Sequence, residues 1–162
     1  EACLVGSEMC IRDRPDMVRQ GGGGIINVGS MASLAPIPYA SIYSSSKAYV
    51  LMFSEAIRFE YQDKNIKVMA LLPGGTESEF ARVATEKSEE LTKRYQNRDN
   101  SASGMSMQTS HDVALECLEG YEKNRQFVIC GRSNRILNFV TGFMSRKAVL
   151  NFTGKMFKKI AG

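Results

Sequence analysis

The stretch "IKVMALLP", residues 66–73, decides the fold. It is a short aliphatic run that ends abruptly at Pro73-Gly74. Runs of this kind belong to strands covered on both faces, which is the situation of a parallel sheet. Upstream, Tyr43, Val50, Phe53, Ala56, Ile57 and Tyr61 recur at helical spacing, which predicts a helix over about 42–62 ended by Asp63–Asn65. Before that lies a second apolar run, "IINVGS" at 25–30, and a loop punctuated by Pro36 and Pro38. Downstream, residues 77–96 are a polar helical stretch, 98–109 a loop rich in Asn, Ser, Gly and Met, and "TSHDVALECLEGYEKN" a capped helix. "QFVIC", 126–130, is a third strand, and two helices follow at roughly 133–144 and 146–160. "PDMVRQ" reads as a helix end and "GGGG" at 21–24 as its stop, a loop before the first strand. Strands alternating with helices require parallel pairing with crossovers. The class is α/β, part of a Rossmann-like doubly wound parallel sheet, whose sites lie at the carboxyl ends of strands. Ser30 and Pro73-Gly74 occupy two such ends.

Composition narrows the function. The chain has 162 residues, 43% hydrophobic and 23% charged, about one domain. No run of 18 apolar residues exists and no secretory leader is visible. Cys3, Cys10, Cys117 and Cys130 have neither metal-type nor disulfide-framework spacing, so a cytoplasmic location is expected. The net charge of +4 is unevenly spread: residues 131–162 hold seven Lys or Arg and no acid, and the other 130 residues hold 14 basic and 17 acidic groups. Nucleic-acid binding by the whole surface is disfavoured, and the basic helical tail, about 132–162, is the distinct feature. Within it Val149, Phe152, Met156, Phe157 and Ile160 recur at helical spacing among lysines. Such a helix lies on an anionic membrane or packs on the domain or a partner subunit.

Leu4 to Arg14, "LVGSEMCIRDR", has no structural period and resembles the conceptual translation of a transposase-type sequencing adapter. Residues 1–14 are therefore expected to be non-native and 15–162 to be the C-terminal part of one domain.

The chemistry sits in "SIYSSSKAYV", residues 41–50, where Tyr43 and Lys47 are one helical turn apart. Alone, the pair reads better as a core aromatic and a solvated lysine than as a site. In conjunction, a strand ending in Ser30, thirteen residues to Tyr43, Lys47 four further on and a strand ending in Pro73-Gly74 resemble the short-chain dehydrogenase/reductase family. The resemblance covers about 15–130 well and the tail loosely, nearest the bacterial-type general reductases with a basic C-terminal extension. It implies an enzyme using NAD or NADP to interconvert a ketone and a secondary alcohol, with small carbonyl or alcohol substrates and a homo-oligomeric parent. It implies Ser30, Tyr43 and Lys47 as the catalytic set. It implies Tyr43, Lys47, Pro73, Gly74, Thr76 and Ser78 as the cofactor-contacting set, with Ser78 where Thr is commoner. Carbonyl reduction needs a hydride and a proton for the developing alkoxide. A phenol gives that proton poorly at neutral pH, and a nearby ammonium favours the phenolate. The resemblance adds a ribose contact for Lys47 and a hold on the substrate oxygen for Ser30. The family's Gly-rich phosphate loop and catalytic Asn would lie upstream of Pro15, leaving three of seven strands.

Other motifs have plainer readings. Ser44, Ser45 and Ser46 are small packing residues with no hydrolase elbow around them. His111 follows Ser110 at a helix start and reads as part of the cap. "GGGG" precedes a strand and does not open a helix, so it is no dinucleotide fingerprint. The rival function class is a noncatalytic interaction or membrane-surface module built on the basic tail. A T-G-x-x-x-G-x-G motif in the parent gene upstream of Pro15 would discriminate the two.

Overall fold

The computed structural model describes residues 15–77 and 107–161. Three strands form a parallel sheet: β1 (Gly23–Val28), β2 (Ile66–Leu72) and β5 (Phe127–Ile129), in the order β1-β2-β5. Gly23 pairs with Ile66 and Val28 with Leu71, while Ala70 to Leu72 pair with Phe127 to Ile129. Between β1 and β2 run a 3-10 turn, Met31–Ser33, helix α1 (Ser41–Tyr61) and a second 3-10 turn, Gln62–Lys64. A two-stranded parallel pair, β3 (Thr76–Glu77) with β4 (Gln108–Thr109), precedes α2 (Ser110–Glu122). After β5 come α3 (Arg132–Gly142) and α4 (Arg146–Ala161).

β2 explains itself by alternation, since neighbouring residues on a strand face opposite sides. Ile66 and Val68 pack with Ile25 and Ile57, and Ala70 and Leu72 pack with Leu51 and Ile129. These contacts put α1 on one face. Leu71 packs with Val113 and Cys130, which puts α2 on the other. Apart from exposed Lys67 the strand is buried on both faces, so its aliphatics from Val68 to Leu72 read continuously. The expected α/β layering is what the molecule has.

Arg58 on α1 ties the layers together. Its guanidinium donates to the Val68 carbonyl (2.7 Å) and to the Asn124 carbonyl and side chain (2.8 and 2.9 Å). Asn27 on β1 donates to the Ser54 hydroxyl on α1 (2.9 Å).

Three differences from expectation are informative. Gly23 and Gly24 belong to β1, not to a loop. A Cβ at Gly24 would lie 1.8 Å from the Tyr121 hydroxyl, so the strand begins on glycine because α2 crowds it. Gln108–Thr109, expected in a loop, pairs with Thr76–Glu77, and Glu77 is a strand residue and not the start of the expected polar helix. The tail helices pack on the domain by unlike faces. α4 turns Val149 and Thr153 inward, and the Thr153 hydroxyl donates to the Pro36 carbonyl (2.8 Å). α3 turns Asn134 inward, keeps Leu137 half-buried and leaves Ile136, Phe139 and Val140 exposed. No described helix is long and apolar enough to cross a membrane.

Candidate active site

Ser30 lies two residues beyond the end of β1, in extended backbone, as the cap of the 3-10 turn. Its hydroxyl accepts from the Ala32 N–H (3.1 Å). Its own N–H donates to the Ser33 hydroxyl (3.3 Å), which in turn donates to the Lys47 carbonyl (2.8 Å). Ser33 thus joins the serine-bearing loop to the helix that carries Tyr43 and Lys47. The sequence reading missed it, although Ser30-x-x-Ser33 has the spacing of a reciprocal cap.

α1 begins at Ser41, so Tyr43 stands in its first turn and Lys47 in its second. The Lys47 ammonium is 5.9 Å from the centre of the Tyr43 ring. It donates to the Val28 carbonyl at the end of β1 (3.1 Å). Lys47 therefore bridges α1 to the strand end beside Ser30. An ammonium has three N–H donors, so the Val28 bond leaves capacity for a further acceptor. The hydroxyl of buried Ser44 donates back to the Ser41 carbonyl (3.1 Å), a packing role as expected.

The second strand end is knit to the first. The Met31 N–H donates to the Pro73 carbonyl (2.9 Å), and the Gly29 N–H to the Leu71 carbonyl (2.8 Å). Ser30 and Pro73 are thereby held on adjacent strand ends. At Gly74 a Cβ would sit 2.3 Å from the Asn134 amide nitrogen, so only glycine admits α3 here. The Thr76 hydroxyl donates to the Gly74 carbonyl (3.4 Å), and the Gln108 N–H to the Gly75 carbonyl (2.9 Å). Ser78, the rest of the polar stretch to 96, the loop residues 98–106 and residues 1–14 lie outside the described residues. His111 is exposed, one residue after the first of α2. The cap there is Thr109, whose hydroxyl accepts from the Asp112 N–H (3.1 Å).

Behind Pro73-Gly74 a polar network fixes the tail. The Asn134 amide donates to the Cys130 carbonyl (2.6 Å). Arg135 donates to the Ile129 carbonyl (2.9 Å) and pairs with Glu116, and Glu116 accepts from the Gly131 N–H (3.2 Å). Burial, and secondarily the Glu116 charge, pushes the Cys130 thiol up to about 12, so it is no nucleophile. Among the described residues no cluster of His, Cys, Asp or Glu could hold a metal.

The arrangement offers a phenol, an ammonium and a serine around the carboxyl ends of β1 and β2, where open α/β sheets bind ligands. The chain is similar to several known proteins. A 45% identical match over 85 residues links the chain to an uncharacterized oxidoreductase of Thermotoga maritima, covering 51% of this chain and 34% of that protein. The very-long-chain 3-oxoacyl-CoA reductase of Bos taurus is 35% identical over 69 residues, 43% of this chain and 22% of that one. The chain thus spans about a third or less of these relatives. Among solved structures, a short-chain dehydrogenase from Sphingobium yanoikuyae in complex with NADPH superimposes with a TM-score of 0.66 at 23% identity, over 86% of this chain and 50% of that one. A short chain dehydrogenase from Burkholderia cenocepacia in complex with NADP gives 0.63 at 21% identity, over 84% and 49%. The family model described as short chain dehydrogenase matches residues 4–89, more than half of the sequence and all of the Ser30, Tyr43, Lys47 and Pro73-Gly74 constellation, so the chain belongs to the short-chain dehydrogenase family.

Proposed function

We propose that the chain carries the proton-handling half of an NAD(P)-dependent oxidoreductase that interconverts a ketone and a secondary alcohol. The observation that carries the reading is Lys47. Its ammonium lies near the Tyr43 ring, holds the end of β1, and keeps donors for an acceptor beyond the protein. That donor set fits a ribose diol, and the NADPH and NADP of the two superimposed structures support the same class of cofactor. A bound nicotinamide would supply the hydride. The chain's own residues handle the oxygen. Tyr43 delivers the phenolic proton to the developing alkoxide, Ser30 orients that oxygen, and Lys47 stabilises the phenolate left behind. Pro73, Gly74 and Thr76, with Ser78, would line the nicotinamide side, the backbone being held by Met31 and Gln108.

The substrate is a small carbonyl compound, and the working compartment the cytoplasm. We assign residues 4–14 to an adapter-derived segment. The exposed stripe Ile42, Tyr49, Met52 and Phe59 on α1 suits pairing with a second copy, as long helices pair in related enzymes.

The roles separate kinetically in the full-length parent. Ser30→Ala should lower turnover with cofactor affinity nearly unchanged, because the role proposed for the serine is on the substrate oxygen and not on the cofactor. Lys47→Ala should lower both, and Lys47→Arg should not restore them, a planar fork being no substitute for a compact ammonium. Turnover and cofactor fluorescence quenching give the two readouts. Loss of cofactor affinity in Ser30→Ala, or its retention in Lys47→Ala, would refute the assignment.

A further inference from the structure

Helix α3 is inverted relative to an ordinary surface helix. Its buried residue is polar: Asn134 is 2% exposed, seated against Gly74 and bonded to the Cys130 carbonyl. Its outer face is apolar: Ile136, Phe139, Val140 and Phe143 are 65%, 68%, 54% and 79% exposed. They follow the i, i+3, i+4, i+7 spacing of one face, and the Phe139 and Phe143 rings meet edge to face at 5.1 Å. A soluble surface helix buries such a stripe, and a contiguous exposed patch of this kind marks an interaction site.

Charge selects the occupant. Exposed Arg132 precedes the stripe by one turn, and exposed Arg146 and Lys147 follow Phe143 within four residues. No acidic residue occurs anywhere from 131 to 162. Glu116 is already paired with Arg135, so joining two copies through this face would set the Arg132 and Arg146 of one against those of the other. An anionic lipid surface has the opposite requirements: it attracts basic groups at its headgroups and accepts apolar rings just beneath. α3 is 11 residues long, about 16 Å, far short of a span.

We propose that α3 docks in the plane of an anionic phospholipid bilayer, with Ile136, Phe139, Val140 and Phe143 in the acyl boundary and Arg132, Arg146 and Lys147 on the headgroups. α4 takes the other part, bracing the domain through Val149 and Thr153. The docked helix is the one whose inner face touches Gly74, so the membrane lies beside the loop that leaves β2.

The full-length protein is co-sedimented with vesicles of phosphatidylcholine alone and of phosphatidylcholine mixed equally with phosphatidylglycerol. Binding is expected to the mixed vesicles only and to weaken at high salt. Phe139→Ser with Phe143→Ser should lower the bound fraction at least about tenfold, since two buried aromatics are lost. Arg146→Glu with Lys147→Glu should do the same. Phe143→Trp should shift its emission to the blue on the mixed vesicles alone. These side chains are exposed, so the substitutions leave the core intact, which a melting curve verifies. Absence of binding to mixed vesicles overturns the proposal, as does equal binding by the Phe139/Phe143 variant. A parent that self-associates without vesicles, and becomes smaller with the same two substitutions, shows that a second copy covers the face and overturns it too.

Discussion

Ser33 shows what a motif omits. The spacing of Ser30, Tyr43, Lys47 and Pro73-Gly74 is legible because the proposed chemistry asks for those residue types at fixed distances along the chain. Ser33 answers to a need across the fold: it relays from the Ser30 N–H to the Lys47 carbonyl, 14 residues on. Only the close approach of turn and helix makes it useful, and a Cβ at Gly29 would lie 3.2 Å from its hydroxyl oxygen. Ser33 is a positioning residue. In the full-length enzyme Ser33→Ala should lower turnover about ten- to hundredfold by loosening Ser30 relative to α1, with cofactor affinity little changed. Steady-state kinetics alongside cofactor titration checks this, and unchanged turnover would show that the relay only stabilises the turn.

At the scale of elements, the strands and long helices were legible because their periods are strong. β2 and α1 appear within a residue or two of expectation. The β3–β4 pair was not legible, because two-residue strands have no period to read. Nor was the inversion of α3, since the inward turn of Asn134 depends on space that Gly74 leaves 60 residues earlier. Arg58 is likewise a long-range device, joining α1 to β2 and to the turn before β5. Arg58→Lys should destabilise the fold by about 1–3 kcal/mol, because one ammonium cannot satisfy carbonyls that a planar fork reaches together. Denaturant unfolding measures it. Cys130 gives the pH counterpart. Its thiol, ordinarily at 9.0, is raised to about 12 by burial, so between these values the folded state holds a proton that the unfolded state has lost. Its contribution is therefore complete below about pH 9 and declines as pH rises toward 12. The stability difference between parent and Cys130→Ala should narrow over that interval, and a constant difference would contradict the shift.

At the scale of the molecule, β1 is an edge of the three-stranded sheet, and Ile26 and Val28 on it are exposed. An apolar edge strand invites pairing with other chains. The 162 residues should therefore scatter light at micromolar concentration. Val28→Lys should reduce the scattering severalfold, because a charge on an edge opposes strand addition. A monomeric, cooperatively melting chain that leaves the solution clear would contradict this.

The central claim is that Tyr43 is the proton donor of a carbonyl reduction. It is tested most directly by turnover of Tyr43→Phe in the full-length enzyme, on a ketone the parent reduces, with cofactor binding measured on the same preparation. The substitution keeps the ring and deletes the transferable proton. Turnover should fall by about 10²–10⁴-fold or more while cofactor binding persists. Near-parental turnover would contradict the claim and leave Tyr43 an aromatic that packs at the start of α1.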